Sequence, residues 1–191
     1  MNRGAIDDHA TGPVNPRPAD LPQDRDLQKL QQALHSAVDG MSQQQWMSHP
    51  AGKWCAAEVL EHLYLTYTGT IKGFERVLEA GKPMATSSSL RHRLRILVVL
   101  GVGYFPTGRK SPPTALPKGL PLEKVRGEIA AKIAAMDRII AQCESRFGPK
   151  TRLLDHPILG ALTAPQWRKF HLVHGLHHEK QLRRLRQANS A

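Results

Sequence analysis

The chain has 191 residues, of which 40% are hydrophobic, and this is enough for one domain with a sizeable core. Its formal net charge of +11 is compatible with a polyanion partner, but the basic residues are scattered and only 5% of all residues are aromatic. We therefore expect a solvated basic surface and no nucleic-acid partner.

The N-terminal part of the chain is predicted to be an arm followed by a helix. Residues 1–24 contain four prolines among small and polar residues, a composition that cannot bury enough apolar surface to order itself. We expect this arm to be disordered or loosely attached. Leucine recurs at helical spacing over residues 24–38, which predicts the first helix, and Gly40 is placed to end it. Ser42 begins a capping-box pattern that predicts a short helical turn.

The same periodicity predicts three further long helices. The second covers residues 56–80 and ends before Gly81, with Cys55 at its cap position, where Ser or Thr is usual. The third covers residues 121–147. A turn-rich linker leads to the fourth, which opens with a capping box and extends over residues 163–187.

These elements predict an all-α protein. No strand signal is stronger than that of residues 96–100, so no sheet is expected. Four long helices without a sheet favour a four-helix bundle over residues 25–187, with residues 188–191 as a tail.

The connection between the second and third helices is unusually long. Residues 82–120 read as irregular, and a long crossover between the two helices accounts for them. Within this connection, residues 90–105 are both basic and apolar. Packing across the end of the bundle is the favoured interpretation, and contact with a membrane surface or a partner is the less favoured alternative. The role of residues 90–110 stays open.

Histidines on two predicted helices suggest a metal site. His174 and His178 are four residues apart in the apolar stripe of the fourth helix, about 6 Å apart along its axis. His171 could share their edge, whereas His177 is rotated away by about 100°. A buried pair is as compatible with ordinary core residues as with metal ligands. His62, at the edge of the second helix's apolar face, is the best candidate for a third ligand. Three neutral imidazoles with a vacant fourth position are typical of catalytic zinc sites, and nickel or iron would accept the same set.

Three stretches resemble the DinB-like superfamily. Residues 54–63 (WCAAEVLEHL) are similar to its second-helix motif, and residues 174–182 (HGLHHEKQL) to its fourth-helix motif. Residues 156–167 (HPILGALTAPQW) resemble a branch whose function is unassigned. The resemblance implies a four-helix bundle over about residues 25–187 with His62, His174 and His178 as metal ligands, and it implies a homodimer. Members of assigned activity include thiol-dependent transferases and an isomerase of maleylpyruvate.

Residues and resemblance together lead to a functional hypothesis. We expect a metal-dependent enzyme with a centre that holds Zn, Ni or Fe. It would either transfer a low-molecular-weight thiol to a small molecule or hydrolyse a small molecule. Gln181, one turn past His178, either orients a bound cofactor or outer ligand or is an ordinary polar residue at the end of the core. The alternative is a non-catalytic metal-binding or stress-related bundle whose basic surface faces a partner.

The sequence also suggests a compartment. Cys55 and Cys143 make no disulfide framework and suit a reducing compartment, although they could form one bridge. The first residues lack the apolar region of a secretory signal. The longest apolar run, residues 96–105, is too short for a bilayer span, which needs about 20 residues. We therefore expect a cytoplasmic protein with a small-molecule substrate.

Overall fold

Helices make up most of the chain in the computed structural model, which describes residues 23–86, 89–103 and 111–188. Within these residues the helices are α1 (Arg25–Val38), α2 (Gln43–Met47), α3 (Ala56–Ala80), α4 (Leu90–Ile96), α5 (Leu122–Phe147) and α6 (Ala164–Ala188). The mostly helical character predicted from the sequence is confirmed. The predicted arm lies almost entirely outside the described residues, as does the tail after residue 188.

Local capping fixes where the helices begin and end. The Asp24 carboxylate accepts the backbone N–H groups of Asp26 and Leu27 at 3.0 and 3.1 Å, and this starts α1. Ser42 and Gln45 form the predicted capping box at α2. At the other end of α3, Gly81 takes a left-handed conformation with φ +66°, which releases the chain from the helix.

The long helices bury their apolar stripes against one another. α1 packs along α6, and α3 packs along α5. The stripes meet in one core, whose largest fully buried side chains include Trp46, Tyr67, Phe74, Leu30, Ile133 and Met136. Burial of this kind, at roughly 25 cal/mol per Å² of apolar surface, is the main force that holds the helices together.

The expectation of no sheet is wrong. Two short strands, β1 (Arg152–His156) and β2 (Gly160–Thr163), pair as an antiparallel hairpin between α5 and α6. The hairpin turn is held by His156, whose Nδ1 accepts the N–H groups of Ile158 and Leu159 at 3.1 and 3.2 Å. Burial of apolar residues of the hairpin, including Leu153 and Leu162, stabilises strands that would be too short by themselves.

The connection between α3 and α5, predicted to be irregular, is helical in part. After α4 it continues as a π-helical turn, Leu97–Gly101, and a 3₁₀ turn follows at Pro113–Ala115. Residues 96–100, which carry the strongest strand signal of the sequence, are therefore helical. The expected packing across the bundle end holds for Val99 and Leu100, which are buried. It fails for Leu90 and Leu94, which are exposed.

None of the helices among the described residues combines the length and the apolar character needed to cross a bilayer.

Candidate metal centre

Three imidazoles from two helices converge in the core. His62 Nε2 on α3 lies 3.2 Å from His174 Nε2 on α6, and His178 Nε2 lies 3.1 Å from the same His174 atom. The ligand atoms of all three residues lie within 4.8 Å of one another. The structure thus brings together the three residues singled out as metal ligands from the sequence.

Helical spacing delivers the three rings. His174 and His178 are one turn apart and so share a face of α6. His62 follows the fully buried Val59 by three residues, which turns it inward from α3. The residues are 3%, 5% and 8% exposed for His62, His174 and His178. Their donor atoms therefore face one another inside the protein.

Hydrogen bonds on the far side of two rings fix the tautomers. His62 Nδ1 donates to the Ala115 carbonyl at 2.7 Å. His178 Nδ1 donates to Gln181 Oε1 at 3.0 Å. Since these oxygens only accept hydrogen bonds, each Nδ1 carries the proton, and the Nε2 of each neutral ring presents a lone pair to the cluster.

Burial keeps the rings neutral. Desolvation lowers the pKa of His62, and it lowers the pKa of His178 to about 3, with further repulsion from His62. The pKa of His174 is well below its usual value, mainly through desolvation and then through its two partners. Neutral imidazole is the form that binds a metal.

The nitrogen positions fit a divalent cation. Ligands about 2.0–2.1 Å from a tetrahedral metal lie about 3.3–3.4 Å from one another. The two measured Nε2–Nε2 distances, 3.1 and 3.2 Å, are close to that edge length. A proton on His174 Nε2 can satisfy only one of its two neighbours, whereas a cation between the three lone pairs satisfies all of them.

Two aromatic rings lie against the cluster, and a buried carboxylate lies next to His62 in the chain. Phe170 stacks on His174 with ring centroids 5.3 Å apart, and Trp54 lies 5.1 Å from His62. Glu61, next to His62 in the chain, is 3% exposed and accepts the backbone N–H groups of residues 118 and 119 at 2.7 and 3.1 Å. This anchors the chain that follows Ala115, so Glu61 helps to hold the carbonyl that orients His62.

The sequence matches the model of one known protein family. The sequence profile of a family described as "Protein of unknown function (DUF1569)" matches residues 19–185. The chain belongs to the DUF1569 family. No curated protein and no solved structure matches it.

The other histidines near the cluster of His62, His174 and His178 do not join it. His171 is fully buried, and its Nε2 lies 3.1 Å from Thr70 Oγ1. His156 lies in the hairpin and uses its Nδ1 in the hairpin turn. His177 is half-buried and lies beside the His178 ring, outside the trio as predicted.

Gln181 and Ala115 each contact one of the three histidines, but only Gln181 is a candidate from the sequence. From the sequence, Gln181 is either a residue that orients a cofactor or outer ligand or an ordinary polar residue at the end of the core; in the structure its amide oxygen lies 3.0 Å from His178 Nδ1. Ala115 was missed. It is 53 residues from His62, and a backbone carbonyl carries no residue-type signal.

A second group of possible ligands lies at the start of α3. His49, Cys55 and Glu58 have ligand atoms within 4.8 Å of one another. The Glu58 carboxylate accepts the Cys55 backbone N–H at 2.9 Å and pairs with His49 Nε2 at 2.9 Å. Helix capping and an exposed ion pair therefore account for this second group without a metal.

Proposed function

We propose that this DUF1569 protein is a metal-dependent enzyme of the DinB-like type, in which His62, His174 and His178 hold one divalent metal. The observation that carries the proposal is the convergence of three buried Nε2 atoms, two of which have their Nδ1 protons committed to oxygens elsewhere. Orientation of a ligand ring through its second nitrogen is a regular feature of protein metal sites.

The packing of the helices supports the DinB-like part of the proposal. α1 lies along α6 and α3 lies along α5, and the cluster forms where α3 and α6 face each other. This is the placement expected for a metal site in the core of a four-helix bundle. Imidazole nitrogens suit Zn, Ni or Fe, and three of them leave a coordination position for a reactant.

The proposed chemistry is thiol transfer or hydrolysis on a small molecule. A metal held by His62, His174 and His178 would supply Lewis acidity, which would lower the pKa of a thiol or a water and provide a nucleophile near neutral pH. Ala115 and Gln181 hold two of the rings in place. Trp54 and Phe170 cover the rings with apolar surface, which strengthens electrostatic interactions by excluding water.

Elemental analysis of the purified protein tests the metal site. We expect about one transition-metal ion per chain, and its loss in His62→Ala, His174→Ala and His178→Ala. His177→Ala is the matched control, since it removes an imidazole from the same helix outside the cluster, and it should keep the metal. A metal-free wild-type protein that also fails to take up Zn, Ni or Fe would overturn the proposal.

Turnover assays separate an enzyme from a binding protein. The metal-loaded protein is mixed with a panel of low-molecular-weight thiols and a chromogenic electrophile, and with ester and amide substrates. Product formation that disappears in His174→Ala supports catalysis. Stoichiometric metal without turnover across the panels would instead favour the non-catalytic metal-binding bundle.

A further inference from the structure

The connection between α3 and α5 has a one-sided charge. No acidic residue occurs between Glu79 and Glu123, while seven basic residues do. They are Lys82, Arg91, Arg93, Arg95, Arg109, Lys110 and Lys118. This segment therefore has a net charge of +7, whereas the whole chain, with 27 basic and 16 acidic residues, has a net charge of +11.

One side of the helical part of this connection is attached to the protein. Val99 and Leu100 are buried, and the π-helical turn lies against α6. Arg95 donates to the Ile158 carbonyl in the hairpin turn at 3.1 Å. The His92 ring lies directly against the α-carbon of Gly160, where there is no room for a side chain. These contacts fix the orientation of residues 90–101.

The other side of the same helix is an exposed apolar stripe. Leu90, Leu94 and Leu97 are 81%, 64% and 63% exposed, and Val102 beyond them is 75% exposed. Among the described residues only seven large hydrophobic side chains are exposed, and these are four of them. Their concentration in one short segment marks an interaction site rather than the usual scatter of surface apolar residues.

Arginines border the stripe on both sides. At 100° per residue, the three leucines fall within an arc of about 60°. Arg93 lies about 40° beyond one edge of that arc, and Arg91 about 60° beyond the other. We name Leu90, Leu94, Leu97 and Val102, with Arg91 and Arg93, the basic apolar face.

We propose that the basic apolar face binds the surface of an anionic lipid bilayer. Leucines on a fixed helix face would enter the boundary between headgroups and acyl chains, while the flanking arginines reach the lipid phosphates. The segment itself contains no acidic residue that would repel an anionic surface. From the sequence alone, contact with a membrane is the less favoured interpretation of residues 90–105. The exposure of the leucines makes it the favoured one.

Other occupants fit the face less well. A two-fold contact with a second copy of the chain would bring two segments of net charge +7 together, and these would repel each other. A nucleic acid would pair with the arginines but would leave the leucine stripe in water. The proposal does not depend on the metal centre and can be tested without it.

Vesicle co-sedimentation of the full chain tests the proposal. We expect binding to vesicles of phosphatidylcholine and phosphatidylglycerol at 3:1, and little binding to phosphatidylcholine alone. The variant Leu90→Gln/Leu94→Gln/Leu97→Gln changes only exposed side chains, so it should fold normally by circular dichroism. It should bind the mixed vesicles about tenfold more weakly or worse, even at low salt.

A charge-matched pair of variants shows whether the position of the arginines matters. Arg91→Gln/Arg93→Gln should weaken vesicle binding by on the order of tenfold. Lys72→Gln/Arg76→Gln removes the same charge from an exposed part of α3 and should change binding by less than about threefold. Equal losses in both pairs would mean attraction by net charge alone and would overturn the proposal.

Two further outcomes would also overturn it. One is full binding by the triple leucine variant. The other is a wild-type chain that ignores both kinds of vesicle but forms a dimer that the triple variant does not form, which would assign the face to a second copy of this chain.

Discussion

Gly175 on α6 lies so close to Leu30 on α1 that a Cβ at position 175 would be 2.6 Å from Leu30 Cδ2. Leu30 is fully buried, so its side chain would have to move within the core to make room. The glycine therefore sets the distance between the two helices, one residue from His174. Close approach of the backbones at this point is part of what holds α6 in register with the rest of the core.

Gly175→Ala should destabilise the protein. Overpacking of a filled core costs about 1–3 kcal/mol, while removal of a glycine from a helix returns up to about 1 kcal/mol. We expect a net loss of about 1 kcal/mol in the free energy of unfolding, measured by urea denaturation. Gly127→Ala is the matched control, because an added Cβ at this position of α5 meets nothing within 4 Å, and it should stabilise the protein. Equal or greater stability of Gly175→Ala relative to Gly127→Ala would contradict the close-approach argument.

Arg168 joins α6 to α5 by ion pairs, and its replacement should lower the free energy of unfolding. Its Nε donates to Asp137 Oδ1 at 2.8 Å, and its guanidinium also pairs with Glu144. Asp137 is 3% exposed and also accepts the Asp24 backbone N–H at 2.6 Å. Arg168→Met leaves a buried carboxylate without its cation, so we expect a loss of about 3 kcal/mol in the free energy of unfolding.

An exposed ion pair provides the comparison for Arg168. Arg126 pairs with Glu123 on the surface of α5, with side-chain exposures of 41% and 82%. Arg126→Met should cost less than about 1 kcal/mol, because solvent screens such pairs. The two variants remove the same charge, so similar losses in urea denaturation would show that burial of Asp137 adds nothing.

The sequence predicts what is encoded locally. Ser42 with Gln45, and Gly81 after a periodic apolar stripe, are complete signals within a few residues, and the elements that they delimit form as predicted. The spacing of His174 and His178 likewise requires only one helix.

Elements that depend on tertiary contacts cannot be predicted from the sequence. The hairpin strands have five and four residues, and their turn residues resemble an ordinary linker. Their pairing is stabilised by burial of Leu153 and Leu162 against the helices. The Ala115 carbonyl reaches His62 only because a long connection returns to α3, with its backbone held by Glu61. No pattern of residue types predicts such a contact.

Acid should unfold the protein partly through His156. Burial lowers its pKa in the folded state to about 4, whereas an unfolded histidine has a pKa of about 6.5. Below pH 6.5 the unfolded chain binds a proton that the folded chain does not bind. The stabilisation is therefore fully present above about pH 6.5 and is lost as the pH falls toward 4, by about 1.4 kcal/mol for each unit.

The variant His156→Asn isolates this contribution. Asparagine retains an acceptor for the hairpin turn but does not titrate. Between pH 6.5 and pH 5, the free energy of unfolding of the wild type should fall by about 2 kcal/mol more than that of the variant, as measured by urea denaturation at each pH. Parallel pH profiles for the two proteins would show that His156 is not held neutral by the fold.

Gln181 should determine how tightly the proposed centre holds its metal. Its amide oxygen accepts the Nδ1 proton of His178 at 3.0 Å and so turns Nε2 toward the other two rings. Loss of such a partner weakens metal binding by about 10–100-fold at characterised sites. We expect this loss of zinc affinity for Gln181→Ala, measured at pH 7 by competition with a chromogenic chelator. Gln181→Glu keeps an acceptor at this position and should restore most of the affinity, while Gln187→Ala changes an exposed glutamine on the same helix and should have no effect. An unchanged affinity in Gln181→Ala would show that packing alone orients His178.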